Sequence, residues 1–435
     1  MGAFTVAAGL FCAVFFLSAF ALQGQDSPLS PKLIALQKEL RVGNRVALED
    51  FWKEEVKQGA PVVEPVEGDS QYVLVTFLWR AKEETRNVVV WSDLGSWQNL
   101  ASLQMVHLPD SDVWYKTYRV RNDARFIYRL TVNDPLTSSL DDGRKNLSYL
   151  ADPLNPKNFI QNGKPVYSIV ELPAAPALNW IKQQPNVAKG EVRRLGFRST
   201  ILKNDRRVWV YTPPGYALTS GPHHLLILFD GSSYVNTIPA ATVLDNLLAK
   251  GLIPPTVAVL IDSINAEVRL RELTCYPPFD EFLIKEMLPW VHQNYHVTSE
   301  PTQIIVGGAS FGGFAATCVA FRHPEVFGNV LSQSGSFWWK PESDSEYEWL
   351  TRQLVASPRL PIRFYLEVGL LENINPARED SPTNLIANRH LRDVLQARGY
   401  SVRFQEVSGG HDYFPWQSTF ADGVLALIGE GKVSK

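Results

Sequence analysis

The sequence predicts an α/β domain with a mostly parallel sheet, preceded by an all-β sandwich. Three observations carry this. From about residue 191, strand-like and helical runs alternate, which is the rhythm of a parallel sheet with crossover helices. The central runs, Leu225-Leu226-Ile227-Leu228-Phe229, Val257-Ala258-Val259-Leu260-Ile261, Gln303-Ile304-Ile305-Val306-Gly307 and Phe364-Tyr365-Leu366-Glu367-Val368, are nearly continuous apolar stretches, as strands buried on both faces must be. Between residues 71 and 132 the runs are instead short, β-branched and aromatic, with turn residues between them.

The 435 residues suggest about two or three domains. Hydrophobic residues are 45% and charged residues 20%, enough for a large core and against disorder throughout. Lys and Arg number 42 against 45 Asp and Glu, a net charge of -3, so the chain lacks the basic excess of a nucleic-acid binder. Three cysteines exclude a disulfide framework and a multi-cysteine zinc site.

Residues 1–21 carry no charge, are apolar from Ala3, and end Ala19-Phe20-Ala21 before Gln23, Gln25 and Asp26. They read as a secretory signal cut after Ala21, with an uncleaved anchor as the alternative. This predicts a periplasmic or secreted protein with no membrane span in the mature chain. Cys275 and Cys318 then remain, either paired or as buried thiols. Residues 31–58 read as helical, with Leu33, Leu36, Leu40, Phe51 and Trp52 on one face. Strands follow at 71–79, 86–92, 113–120 and 125–132, forming a sandwich module over 28–175 that closes at the proline-fixed turn Asp152-Pro153-Leu154-Asn155-Pro156. Residues 173–190, with three prolines, read as a linker. In the α/β domain, 191–435, strands are expected at 195–202, 206–212, 224–229, 256–261, 302–306, 329–333, 362–368 and 402–407. Helices are expected at 242–250, 279–295 (bent at Pro289), 312–322, 386–398 and 416–428.

The most informative stretch is Gly308-Ala309-Ser310-Phe311-Gly312, a G-x-S-x-G between a buried strand and a helix. That context is the nucleophile elbow of α/β-hydrolases: Ser310 sits on a strained turn, exposed at the carboxyl end of the sheet. The N–H of Phe311 is placed to donate to an oxyanion. Chain order then asks for an acid followed by a histidine. His411, in Ser408-Gly409-Gly410-His411-Asp412 after the last strand, suits the base, whereas His323 and His390 lie on helices. Glu372, three residues past Gly369, suits the acid that orients it; Glu367 belongs inside the strand, and Asp380 and Asp412 are alternatives. The second oxyanion donor is expected from the N–H of Gly231 or Ser232, after the strand ending Phe229-Asp230.

The elbow, Leu228-Phe229-Asp230-Gly231, Arg271-Glu272-Leu273, Glu286-Met287-Leu288-Pro289-Trp290, Ser332-Gln333-Ser334-Gly335-Ser336-Phe337-Trp338-Trp339, Leu366 to Glu372, Ala387-Asn388-Arg389 and Gly409-Gly410-His411-Asp412 together resemble the enterochelin (enterobactin) esterase family. Phe51-Trp52, Val75 to Arg80 and Asp152 to Pro156 extend the likeness to that family's N-terminal domain, over about residues 45–425. The resemblance implies an esterase-D-type α/β-hydrolase preceded by an immunoglobulin-like domain that covers part of the active-site mouth. It implies a serine esterase that opens ferric catecholate siderophore trilactones to release iron, with its triad on Ser310, Glu372 and His411. Such a substrate is anionic and aromatic, which points to Arg269 and Arg271 for charge and to Trp338 and Trp339 for catechol stacking. The alternative is a secreted carbohydrate esterase, acting on feruloyl or acetyl esters, whose sandwich binds glycans through aromatics such as Trp91 and Trp97. In either case the sandwich is expected to serve substrate selection and not the chemistry. No cofactor is expected: HExxH, CxxC and clustered histidines are absent from the sequence, and iron would arrive with the substrate.

Overall fold

The computed structural model describes residues 30–82, 84–96, 98–137, 147–161, 164–374 and 380–430. The signal expected in residues 1–21, and Trp97, lie outside them. The helical run expected over 31–58 divides into Pro31–Arg41 and Val46–Gln58. Ser30 caps the first by accepting from the Leu33 N–H, and Gly43, at φ 81°, turns the chain out of it. Leu33, Leu36, Leu40, Phe51 and Trp52 bury together against Leu78, Val113 and Tyr115 of the sandwich.

The sandwich strands are β1 (Val62–Val66), β2 (Asp69–Arg80), β3 (Val88–Trp91), β4 (Val106–His107), β5 (Val113–Arg121), β6 (Arg125–Val132), β7 (Asn158–Gln161) and β8 (Lys164–Glu171). They form two antiparallel four-stranded sheets, β1-β2-β5-β4 and β3-β6-β8-β7. Alternate side chains such as Val75, Phe77, Val90, Phe126, Tyr128 and Leu130 fill the space between them. The four expected runs fall on β2, β3, β5 and β6. The proline-fixed turn is pinned by the buried Asp152, whose carboxylate accepts from Tyr128 Oη–H at 2.8 Å and from the Leu154 N–H at 2.8 Å.

The second sheet holds β9 (Glu191–Ser199), β10 (Asn204–Thr212), β11 (His224–Phe229), β12 (Thr256–Ile261), β13 (Ile304–Ala309), β14 (Asn329–Gln333), β15 (Arg363–Gly369) and β16 (Ser401–Val407). Its order is β16-β15-β14-β13-β11-β12-β10-β9. Strand β10 runs antiparallel to β9 and β12, and the pairings from β12 to β16 are parallel. Helices bury one apolar cluster on each face. The chain winds outward in one direction through β12 and in the other from β13. The carboxyl ends of β11 and β13 therefore flank the crevice where such sheets hold ligands. Helices Gly231–Asn236, Ala266–Glu272 and Trp349–Ala356 were not foreseen; they are only six to eight residues long. Cys275 and Cys318 are joined, tying the segment after helix Ala266–Glu272 to helix Phe311–Arg322.

Arg206 on β10 and Glu272 form a bidentate ion pair, at 3.0 and 2.8 Å, with side chains only 1% and 2% exposed. A lone buried guanidinium is far worse than a matched pair, by about 3–5 kcal/mol. Glu272→Ala should lower the free energy of chemical unfolding by about that amount. Replacing both residues with apolar ones of similar volume should recover most of the loss.

Candidate active site

Ser310 sits at φ 60° and ψ −124°, between β13 and helix Phe311–Arg322. Such a backbone is strained by about 1–3 kcal/mol and persists only where neighbours hold it. Gly308 and Gly312 make the turn passable, since a Cβ on Gly308 would stand 2.8 Å from the carbonyl carbon of Gly312. The Ser310 N–H donates to Gln333 O at 2.8 Å, and Ser310 O accepts from the Ser336 N–H at 3.1 Å. The segment after β14 thus clamps the elbow on both sides.

Ser310 Oγ lies 2.9 Å from His411 Nε2, and His411 Nδ1 lies 2.6 Å from Glu372 Oε2. The imidazole stands edge-on to Trp416, with ring centroids 5.1 Å apart. Glu372 is buried yet saturated with donors: the Gly369 N–H at 2.7 Å, Ser334 Oγ–H at 2.5 Å, Asn384 Nδ2–H at 2.5 Å, and His411. Burial works to raise the Glu372 carboxyl, but His411, Ser334 and Asn384 outweigh it and hold it below the usual carboxylate range. Desolvation likewise works against the His411 imidazolium, and the Glu372 carboxylate overcomes it, raising His411 above its ordinary 6.5. A hydroxyl, an imidazole and a carboxylate in one hydrogen-bonded line can deprotonate the hydroxyl as it attacks. The alternative acids sit elsewhere. Asp412 caps helix Tyr413–Ile428 through the Phe414 N–H at 2.7 Å, and Asp380 accepts from Tyr347 at 3.4 Å. Glu367 is fully buried, and burial pushes it up to about 8.

Phe311 and Gly231 each begin a helix, so their N–H groups have no acceptor within it. The two helix starts adjoin, since a Cβ on Gly312 would stand 3.4 Å from Asp230 Oδ2. Ser232 is corrected as a donor: its N–H goes to Asp262 Oδ1 at 3.2 Å. Arg269 is corrected too. Its guanidinium is held by Asp230 at 2.8 and 2.6 Å, so it sets the conformation of the Asp230-Gly231 turn rather than waiting for a ligand. Arg271 is exposed, and it stands about 200° round the helix from Arg269, turned away from Asp230. Trp338 packs edge-on against Phe311 at 5.8 Å, beside the elbow. Trp339, partly buried, packs against Phe314 and Trp349 at the edge of the core. Among the described residues, no group of three or more His, Cys, Asp or Glu is placed to hold a metal.

Sequence reasoning missed two contacts. Ser336 Oγ lies 3.4 Å from Ser310 Oγ; it sits in the quoted Ser-Gly-Ser-Phe-Trp-Trp stretch, but its side chain carried no separate signal. The larger omission is the sandwich itself. Strand β3 pairs with β6 over Val88–Trp91 and then stops, and the catalytic loop takes its place beside β6. The Arg125 N–H donates to Ser408 O at 2.8 Å, and Arg121 Nε–H donates to Ser408 Oγ at 2.9 Å. Asp93, just past β3, accepts the backbone N–H of His411 at 2.6 Å. Gly410 lies so close to Asp93 that no Cβ fits there. The sandwich therefore builds part of the surroundings of the His411 loop.

Comparison with known proteins agrees with this architecture. The Esterase family model matches residues 199–427, and the model described as "Enterochelin esterase, N-terminal" matches residues 74–181. An iron(III) enterobactin esterase of Escherichia coli O6:H1 is 30% identical over 81% of this chain and 90% of its own length. An iron(III) salmochelin esterase of the same organism is 29% identical over 92% of this chain and 98% of its own. The crystal structure of ferric enterobactin esterase from Salmonella typhimurium superposes with a TM-score of 0.70 at 26% identity, covering 87% of this chain and 98% of that one. That of the Shigella flexneri enterobactin esterase in the presence of enterobactin gives 0.69 at 29%, covering 87% and 97%. With both halves matched, this chain is a hydrolase of ester bonds that belongs to the enterochelin esterase family.

Proposed function

We propose that this protein is a serine esterase that hydrolyses the lactone esters of a ferric catecholate siderophore of the enterobactin type, so that iron can be released. The hydrogen-bonded line Ser310–His411–Glu372, at 2.9 and 2.6 Å, carries the reading. Its setting supports the substrate: both halves of the chain match proteins named as iron(III) enterobactin and salmochelin esterases.

Ser310 Oγ attacks the ester carbonyl while His411 Nε2 takes its proton. The Phe311 and Gly231 N–H groups donate to the oxyanion that develops. Glu372 fixes the imidazole through Nδ1–H and stabilises its charge. As the tetrahedral intermediate collapses, His411 returns the proton to the departing serine hydroxyl of the ligand. Water, activated by the same histidine, then cleaves the acyl-enzyme. The division of labour runs between a sandwich over 28–175 and a hydrolase domain over 191–435. Trp338, beside the elbow, is the aromatic placed to meet a catechol ring. Action outside the cytoplasm is supported by the signal-like residues 1–21 and by the Cys275–Cys318 bond, which suits an oxidising compartment. Among the described residues no helix is long and apolar enough to cross a membrane.

Purified protein should convert ferric enterobactin to linear dihydroxybenzoylserine oligomers, followed by chromatography. Ser310→Ala should fold normally and lose at least about a thousandfold in kcat. Cleavage of methyl ferulate or acetylated xylan with no turnover of ferric enterobactin would replace this reading by the carbohydrate-esterase one.

The base must be neutral to act, so kcat/KM should fall as pH drops through the His411 pKa, which lies above 6.5. Glu372→Gln removes the charge that raises it. The acid limb should then move to lower pH while the plateau falls. An unmoved limb would detach Glu372 from His411.

A further inference from the structure

Arg269 is tied to Asp230 and Arg271 lies on the other side of its short helix, so an anionic substrate calls for a further cation. We infer that it is Arg129, and that Arg129 with Trp91, Tyr149 and Tyr167 forms a docking platform on the sandwich for the ferric tris-catecholate part of the substrate. The inference rests on the siderophore reading above.

Arg129 Cζ lies 3.9 Å from the Tyr149 ring centroid and 5.0 Å from that of Tyr167. Trp91 pairs with Arg129 across β3 and β6 and meets the Tyr149 ring edge-on at 5.9 Å. All four side chains are half-buried, so they keep an open side. Other arginines of these strands have carboxylate partners: Arg119 has Asp69, Arg121 has Asp123, and Arg125 has Glu171. Among the described residues Arg129 has no hydrogen bond or ion pair, and its contacts there are with rings. A partly desolvated guanidinium left without an anion is a poor way to build stability and a good way to receive one.

The platform lies beside the catalytic loop. Asp93, two residues beyond Trp91, holds the His411 N–H, and Arg125, four residues before Arg129, donates its backbone N–H to Ser408 O. Two residues of strand span about 7 Å. A ligand with one ester at Ser310 therefore reaches the platform with its metal-bound rings. Catecholate rings stack on Tyr and Trp faces, and the planar guanidinium offers N–H donors to the catecholate oxygens while it stacks on tyrosine. The ferric complex is trianionic, whereas the iron-free ligand keeps its phenolic protons at neutral pH. The platform therefore discriminates by iron loading.

The test titrates tryptophan fluorescence with an ester-free, amide-linked tris-catecholate, ferric and iron-free. Arg129→Gln should weaken binding of the ferric form about five- to thirtyfold and leave the iron-free form within about twofold. Tyr167→Leu, which keeps the charge and removes one ring, should weaken the ferric form about two- to fivefold. Thermal melting shows whether each variant is folded. Unchanged ferric affinity in either folded variant, or equal losses on both ligand forms, would overturn the platform. Two results separate this inference from the one beneath it. Wild type that cleaves ferric enterobactin with an affinity indifferent to Arg129 keeps the function and removes the platform. Wild type that binds the ferric amide through Arg129 and never cleaves enterobactin keeps the platform and removes the function.

Discussion

The backbone N–H of His411 is bound by a carboxylate from the other layer of the protein. That contact, Asp93 Oδ2 at 2.6 Å, fixes where the loop after β16 can lie. A short glycine-rich loop left to itself samples many conformations, and each residue ordered costs about 1–2 kcal/mol. Here the ordering is shared. Ser408 is hydrogen-bonded to Arg121 and Arg125, and His411 to Asp93, so the loop becomes a strand-like neighbour of β6. Desolvation raises the Asp93 carboxyl despite the His411 N–H, and burial pushes Asp412 up to about 8. Asp93 and Glu372 are then the carboxylates that favour an imidazolium at His411.

The elbow depends on the same economy of contacts. The strain at Ser310 is offset by hydrogen bonds to Gln333 and Ser336, and those residues belong to a buried polar network. Gln333 Nε2–H donates to Trp416 O and Thr419 Oγ1, Trp416 Nε1–H donates to Ser334 Oγ, and Ser334 donates to Glu372. Trp416 also supports the His411 ring. Ser310, His411 and Glu372 are thus locked by one set of side chains, which accounts for the dense polar character of a stretch buried at the end of β14.

Some of this was legible in the sequence because it is local. Buried parallel strands announce themselves by continuous apolar runs, and the elbow by glycines flanking a serine between strand and helix. Position relative to a strand end pointed to Glu372 and His411, which lie in one hydrogen-bonded line with Ser310. What escaped depends on partners distant in the chain. Asp93 and His411 are 318 residues apart, and nothing near Asp93 distinguishes it from a turn aspartate. Arg269 looked available because Asp230, 39 residues away, is invisible as its partner until the fold brings them together. Strand β4 has two residues, too few for any periodicity, and the edge strand β1 and the inner strand β8 are disguised by Pro65 and Pro165. The expectation that the sandwich serves selection and not the chemistry did not anticipate these contacts, for the same reason. The joint between the layers is made of backbone groups and single side chains, which leave no pattern.

Asp93→Asn tests the dependence on that joint most directly. The amide keeps the size of the side chain but loses the charge and weakens the acceptor facing the His411 N–H. On a small neutral ester such as p-nitrophenyl acetate, which has no siderophore to recognise, kcat should fall about ten- to a hundredfold, with KM changed less than about twofold. A kcat equal to that of the wild type would mean that the hydrolase domain positions His411 unaided. The sandwich would then be no more than a substrate-binding attachment.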